Sequence, residues 1–152
     1  MALGNISIEG CRIIFRNLAG APDKFNPTGG VRTITVAIPN EMAPQLEEEG
    51  WNIKWLKPIS EYDEPQASLK VKAAYGKNPP KIYICTSRNK ELCTADTVGA
   101  IDYAEIENVD IVIRPYCYEN IAGKSGVSAY IKTMYVTIAE DPFSAKYEYG
   151  ED

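Results

Sequence analysis

Apolar residues recur at every second position over most of this chain, the two-residue period of strands with one buried face. The pattern predicts strands at 11–18 (CRIIFRNL), 31–38 (VRTITVAI), 51–56 (WNIKWL), 67–75 (ASLKVKAAY), 81–87 (KIYICTS), 109–118 (VDIVIRPYCY) and 127–138 (VSAYIKTMYVTI). Gly, Pro, Asn or acidic clusters bound each of them. One helix is predicted over 40–49, with Asn40 as N-cap, Glu41 in the first turn and Gly50 as the stop. Pro44 makes that helix short or late in starting. Seven short strands and a single small helix predict an all-β, β-rich barrel or sandwich. The connections 19–30 (AGAPDKFNPTGG) and 57–66 (KPISEYDEPQ) are long enough to act as arms or flaps, and no internal repeat is visible. Residues 140–152 lose the period, so the chain divides into a folded domain, 1–139, and a mobile acidic tail, 140–152.

Gly123, Lys124 and Ser125 imitate the end of a phosphate-binding loop. That loop needs another glycine five residues before the Gly-Lys pair and a helix after it. Tyr118 stands at the first place, and an alternating strand pattern follows Gly126. The segment therefore reads as a hairpin loop between two strands.

A chain of 152 residues is about one domain and needs neither disulfide nor metal to fold. The N-terminus lacks the basic start and apolar run of a signal peptide, and no stretch is apolar enough to span a membrane, so a soluble, cytoplasmic protein is expected. Cys11, Cys85, Cys93 and Cys117 are scattered, and there is no histidine. Ser-His and Cys-His nucleophiles and imidazole proton shuttles are thereby excluded. The acidic groups Glu105, Glu107, Asp110 and Glu61, Asp63, Glu64 lie in turn-like or edge-like segments, where solvated faces are commoner than metal sites. No enzyme activity, cofactor or metal is expected, and a metal-dependent nuclease is the weakest reading.

The net charge of −5 hides strong segregation. Residues 65–90 carry six basic side chains and no acid, and 11–40 and 111–139 are also net basic. The acids fall in 41–64, 91–110 and the tail, which is −4 over 13 residues. A local positive field attracts a polyanion whatever the total. Aromatic residues lie in those same basic segments. Alternation puts Arg114, Tyr116 and Tyr118 on one face of a hairpin strand, with Tyr130 and Lys132 on its neighbour. Trp55, Lys70, Lys72, Tyr75 and Lys77 form a second group, and Arg16, Lys24, Phe25 and Arg32 a third. Trp51, just after the helix stop, is better placed for the core than Trp55. Cations interleaved with flat rings suit single-stranded nucleic acid, where cations follow phosphates and unstacked bases lie on rings.

The segments FRNLAG, KFNPTGGVRTITVAIP, WNIKWLKP, PPKIYICTSRNK, AEIENVDIVIRPYCYE and GVSAYIKTMYVTI, with the acidic tail after them, resemble phage-encoded single-stranded DNA-binding proteins of the OB-fold type. The resemblance implies an OB fold, a five-stranded, partly open Greek-key barrel, with the remaining strand candidates as an additional hairpin or irregular segment. It implies non-specific binding of single-stranded DNA in phage DNA replication or recombination. It also implies a tail that competes with DNA for the basic groove and recruits replication or recombination proteins. In bacterial relatives the tail ends in Pro-Phe; here Pro142 and Phe143 lie inside the tail. A homodimer is a further possible partner if an extended strand such as 127–138 keeps a free edge. The rival reading is a viral protein-interaction or inhibitor module that presents the acidic segments to a basic partner.

Overall fold

The computed structural model describes residues 4–22, 24, 27–57, 64–76, 79–87, 89–119, 123 and 125–139. Asp23, Phe25, Lys77, Arg88, Lys124 and the tail 140–152 are among those outside this set, and so are the expectations attached to them.

Among the described residues there are nine strands: β1 (Ile6–Cys11), β2 (Ile13–Asn17), β3 (Thr33–Ala37), β4 (Ile53–Leu56), β5 (Gln66–Lys72), β6 (Lys81–Cys85), β7 (Lys90–Leu92), β8 (Ile106–Glu119) and β9 (Ser125–Ile138). A helix, α1 (Ala43–Glu49), and a 3₁₀ helix (Val98–Tyr103) complete them. The sheet runs β1-β8-β9-β5-β3-β2. Since only Arg12 separates β1 from β2, these two are one bent strand, and the ends of the path meet. The result is a five-stranded barrel of OB type, made of β1/β2, β3, β5, β8 and β9. It is partly open, because β5 meets β9 only at the parallel pair Lys72 and Tyr130. The additions are β4, which pairs with β5, and the β6–β7 hairpin, which lies parallel to β9 through β6.

Alternating Val and Ile fill the interior: Ile34, Val36, Val71, Val109, Ile113 and Val136 are fully buried. Each strand turns its other set of side chains outward. Trp51 is buried and bridges to Val127, whereas Trp55 is 44% exposed.

Several boundaries differ from those read in the sequence. The strand placed at 11–18 starts at Ile6, because Ile6 and Ile8 are core positions that pair with Ile113 and Ile111. The helix starts at Ala43 with Met42 as its N-cap and Pro44 in its first turn. Asn40 is therefore not the cap. Its side chain instead accepts from the Ala67 N–H and donates to the Pro65 carbonyl. Gly50 ends the helix at φ 101°, as its sequence position implied. The short β7 and the 3₁₀ helix had no periodic signal. Strand β9 has β8 on one edge and β5, β6 and Trp51 along the other, so the free edge considered for a homodimer is absent there.

Candidate nucleic-acid interface

Beyond the pair of Ile113 with Ile131, strands β8 and β9 stay paired as a two-stranded arm as far as Glu119 and Ser125, with Val127 and Ala129 on its inner face still packed in the core. Gly123, at φ 79°, lies in its loop, and the residue after Lys124 begins a strand, so the phosphate-loop geometry is absent. On one face, Arg114 lies opposite Tyr130, Tyr116 opposite Ser128 and Tyr118 opposite Gly126. The Arg114 guanidinium sits 5.8 Å from the Tyr130 ring centroid, and Tyr116 meets that ring edge-on at 6.2 Å. Each contact contributes about 0.5–1 kcal/mol and holds the rings in place before any ligand arrives. Tyr116 is 60% exposed and Tyr118 45%. Gly126 makes room for Tyr118: a Cβ there would stand 2.6 Å from the phenol oxygen. Lys132 is exposed and is the extra residue of a β-bulge, between the pairs Val112 with Thr133 and Ile113 with Ile131.

Register joins this arm to the barrel wall. Asn17 pairs with Thr33, Thr33 with Lys72, Lys72 with Tyr130 and Tyr130 with Arg114. The alternating neighbours Ile34, Val71, Ala129 and Ile113 are buried, so this row lies on the other face, where Lys72 and Arg114 are exposed, Asn17 and Tyr130 half-buried and Thr33 covered. Four strand spacings of about 4.8 Å give it a span of roughly 19 Å. Lys70, also exposed, lies one step away opposite Thr35.

Other sequence candidates have different occupations. The Arg16 Nη1 donates to the carbonyls of Ile101 and Ala104, 2.8 Å each, tying β2 to the 3₁₀ helix. The Arg32 Nη1 donates to the carbonyls of Leu18 and Ala95, and its guanidinium lies 5.3 Å from the half-buried Tyr75 ring. Burial pushes the Tyr75 hydroxyl pKa up, with Cys93 nearby adding to the effect and Arg32 opposing it. The Trp55 indole N–H points to Glu47 on α1, at 3.4 Å, and its strand pairs with the Ala67 end of β5, away from Lys72. Lys24 is exposed in the connection between β2 and β3. Phe25 and Lys77 lie outside the described residues.

Among the described residues no three of His, Cys, Asp or Glu converge on a point. Asp110 accepts from the Gly10 N–H and from Asn108. No helix is long and apolar enough to cross a membrane among the described residues. Sequence reading missed a second aromatic cluster, in which Tyr83 stacks on Tyr135 at 5.0 Å with the Lys90 amine over both rings. The parallel pairing of β6 with β9 builds it, and no local pattern reveals such a pairing. It also missed Phe15, which sits in an apolar run yet is 73% exposed.

No curated protein matches the sequence. Among solved structures, the single-stranded DNA-binding protein of bacteriophage Enc34 superposes with a TM-score of 0.55 at 15% identity, covering 92% of this chain and 84% of that one. The same phage protein in complex with ssDNA gives 0.56 at 16% identity, over 92% and 89%. At these identities the likeness is one of fold. The family of phage ssDNA-binding domains matches residues 1–149, nearly the whole sequence, and this chain belongs to that family.

Proposed function

We propose that the chain binds single-stranded DNA without strong sequence preference, across the row at Lys72, Tyr130 and Arg114 and onto the arm at Tyr116 and Tyr118. The observation that carries this reading is the Lys72–Tyr130 pair, which places the cations of β5 beside the aromatic arm. Bases stack on Tyr116 and Tyr118, while Lys70, Lys72, Arg114 and Lys132 meet phosphates and release their counterions. Every base has a π-face, so such a surface tolerates any sequence. The fixed Arg114–Tyr130–Tyr116 arrangement lowers the ordering cost of binding. The mechanism has no covalent step. Arg16 and Arg32 support the wall, and Trp55 lies outside the surface.

The proposed role is to protect or organise the DNA during phage replication or recombination, in the host cytoplasm. The tail 140–152, with its charge of −4, is complementary to the cationic row. It competes with DNA there and docks replication or recombination proteins when displaced. The test is an anisotropy titration of labelled oligo-dT at several salt concentrations, beside a duplex of equal length and a chain ending at Ala139. Tight, salt-sensitive binding of the single strand, weaker for duplex and stronger without the tail, supports the reading. Absence of binding at low salt refutes it and favours a protein partner of the acidic segments.

A further inference from the structure

We propose that Phe15 is a base-stacking residue at the far end of the DNA path, a second aromatic anchor opposite the arm. Among the described residues Phe15 is the one non-glycine residue with positive φ, at 48°. L-residues avoid this left-handed region because Cβ crowds the following carbonyl, and a bulky side chain there is a true outlier. Phe15 lies in a β-bulge: Ile14 pairs with Thr35 and Asn17 with Thr33, so Phe15 and Arg16 together oppose Ile34 alone. At a left-handed bulge position glycine is the favoured residue. This chain carries instead a phenylalanine that is 73% exposed, on the barrel exterior. Neither burial nor backbone preference accounts for it.

The surroundings hold the strain in place. Ile14 is fixed by pairing on one side of Phe15. On the other, Arg16 donates to two carbonyls of the 3₁₀ segment, and the Leu18 and Ala19 N–H groups donate to Asp102. Backbone strain maintained by such over-determination clusters at functional positions. The place fits. The bulge lies between the Ile14–Thr35–Lys70 line and the Asn17–Thr33–Lys72–Tyr130–Arg114 row. Phe15 thus stands at the β2 end of the crossing that has Tyr116 at its β8 end, with the two lysines between them. A base stacked at each end, with phosphates on Lys70 and Lys72, fixes the direction in which a strand crosses the barrel.

This inference rests on the single-stranded DNA reading above, and the test separates the two. Phe15→Gly, Phe15→Asn and Phe15→Trp are titrated with oligo-dT beside the wild type and Tyr116→Ala, and each is melted. Glycine and asparagine accept the backbone angle, so these variants should melt at or above the wild-type temperature while binding about 5- to 150-fold more weakly; Phe15→Trp should bind as well as wild type. If Phe15→Gly and Phe15→Asn bind like wild type while Tyr116→Ala weakens, Phe15 is no anchor and the arm reading stands. If both melt clearly lower as well as binding weakly, Phe15 is structural and the proposal fails. If the wild type itself does not bind oligo-dT at low salt, the underlying reading fails and takes this one with it.

Discussion

Replacing both Lys70 and Lys72 by alanine should flatten the salt dependence of single-stranded DNA binding by a calculable amount. Both side chains are exposed on the outer face of β5, and Lys72 pairs with Tyr130. They lie two residues apart on one strand, about 6.7 Å, and each is counted against its own phosphate. Each neutralised phosphate on a single strand contributes about −0.7 to the slope of log K against log salt. The double variant should therefore lose about 1.4 from the slope. If the contacts act only by counterion release and vanish at 1 M salt, each is worth about 5-fold at 0.1 M, and the pair about 25-fold, or ~1.9 kcal/mol. At 0.3 M the same pair should be worth only about 5-fold. The assay is oligo-dT anisotropy at four or more salt concentrations, with melting curves to show that both proteins are equally folded. Arg12→Ala is the control: Arg12 lies by Ala37 and so far along β3 from Thr33, and it should leave the slope unchanged. A slope unchanged in the double variant, or an affinity loss equal at all salts, would refute the placement of phosphates over β5.

Three further outcomes follow from individual contacts. Gly126→Ala should displace the Tyr118 ring, since a Cβ there lies 2.6 Å from its hydroxyl oxygen; it should weaken oligo-dT binding as Tyr118→Ala does, and the double variant should bind no worse than Tyr118→Ala alone. Arg16→Met should lose two charge-assisted hydrogen bonds, costing ~1.5–3 kcal/mol and lowering the melting temperature by about 3–10 °C, with any loss of oligo-dT affinity below that temperature no larger than that of Phe15→Gly. The Cys11 thiol is pushed up to about 11, first by burial, with its backbone hydrogen bond opposing and Asp110 adding to the rise. It should resist iodoacetamide at pH 8 while the exposed Cys117 reacts. Because an unfolded chain ionises this thiol near 9.0 and the folded one near 11, the stability it contributes is intact below pH 9 and falls as pH rises toward 11. Urea midpoints at pH 8 and 10.5 should therefore converge when Cys11 is replaced by valine.

The arm was legible because every cue for it is local. Alternation through 109–118 and 127–138, joined by a short Gly-containing loop, fixes which side chains share a face, and Arg114, Tyr116 and Tyr130 do meet. The role of each arginine was not legible. Arg16 finds its carbonyls 85 and 88 residues away, and Arg32 finds one of its two at 63, so charge and spacing alone read them as free cations. Trp55 shows the same limit: its aromatic strand position was visible, but its indole partner, Glu47, sits on a different element. The bend at Arg12 hid the first strand, since Gly10 interrupts the alternation that Ile6 and Ile8 begin. Phe15 was obscured by its apolar neighbours Ile13 and Ile14, because a run of three apolar residues reads as core until the bulge is seen.

The proposed path of single-stranded DNA runs over the outer face of the barrel from β2 to the β8–β9 arm. Backbone amide NMR of the labelled chain, titrated with oligo-dT, tests it most directly. Shifts should concentrate at residues 14–17, 33–35, 70–72, 114–118 and 126–132, with α1 and the β6–β7 hairpin nearly silent. Shifts centred instead on α1, β4 or the Tyr83–Tyr135 cluster, with the arm unchanged, would contradict it.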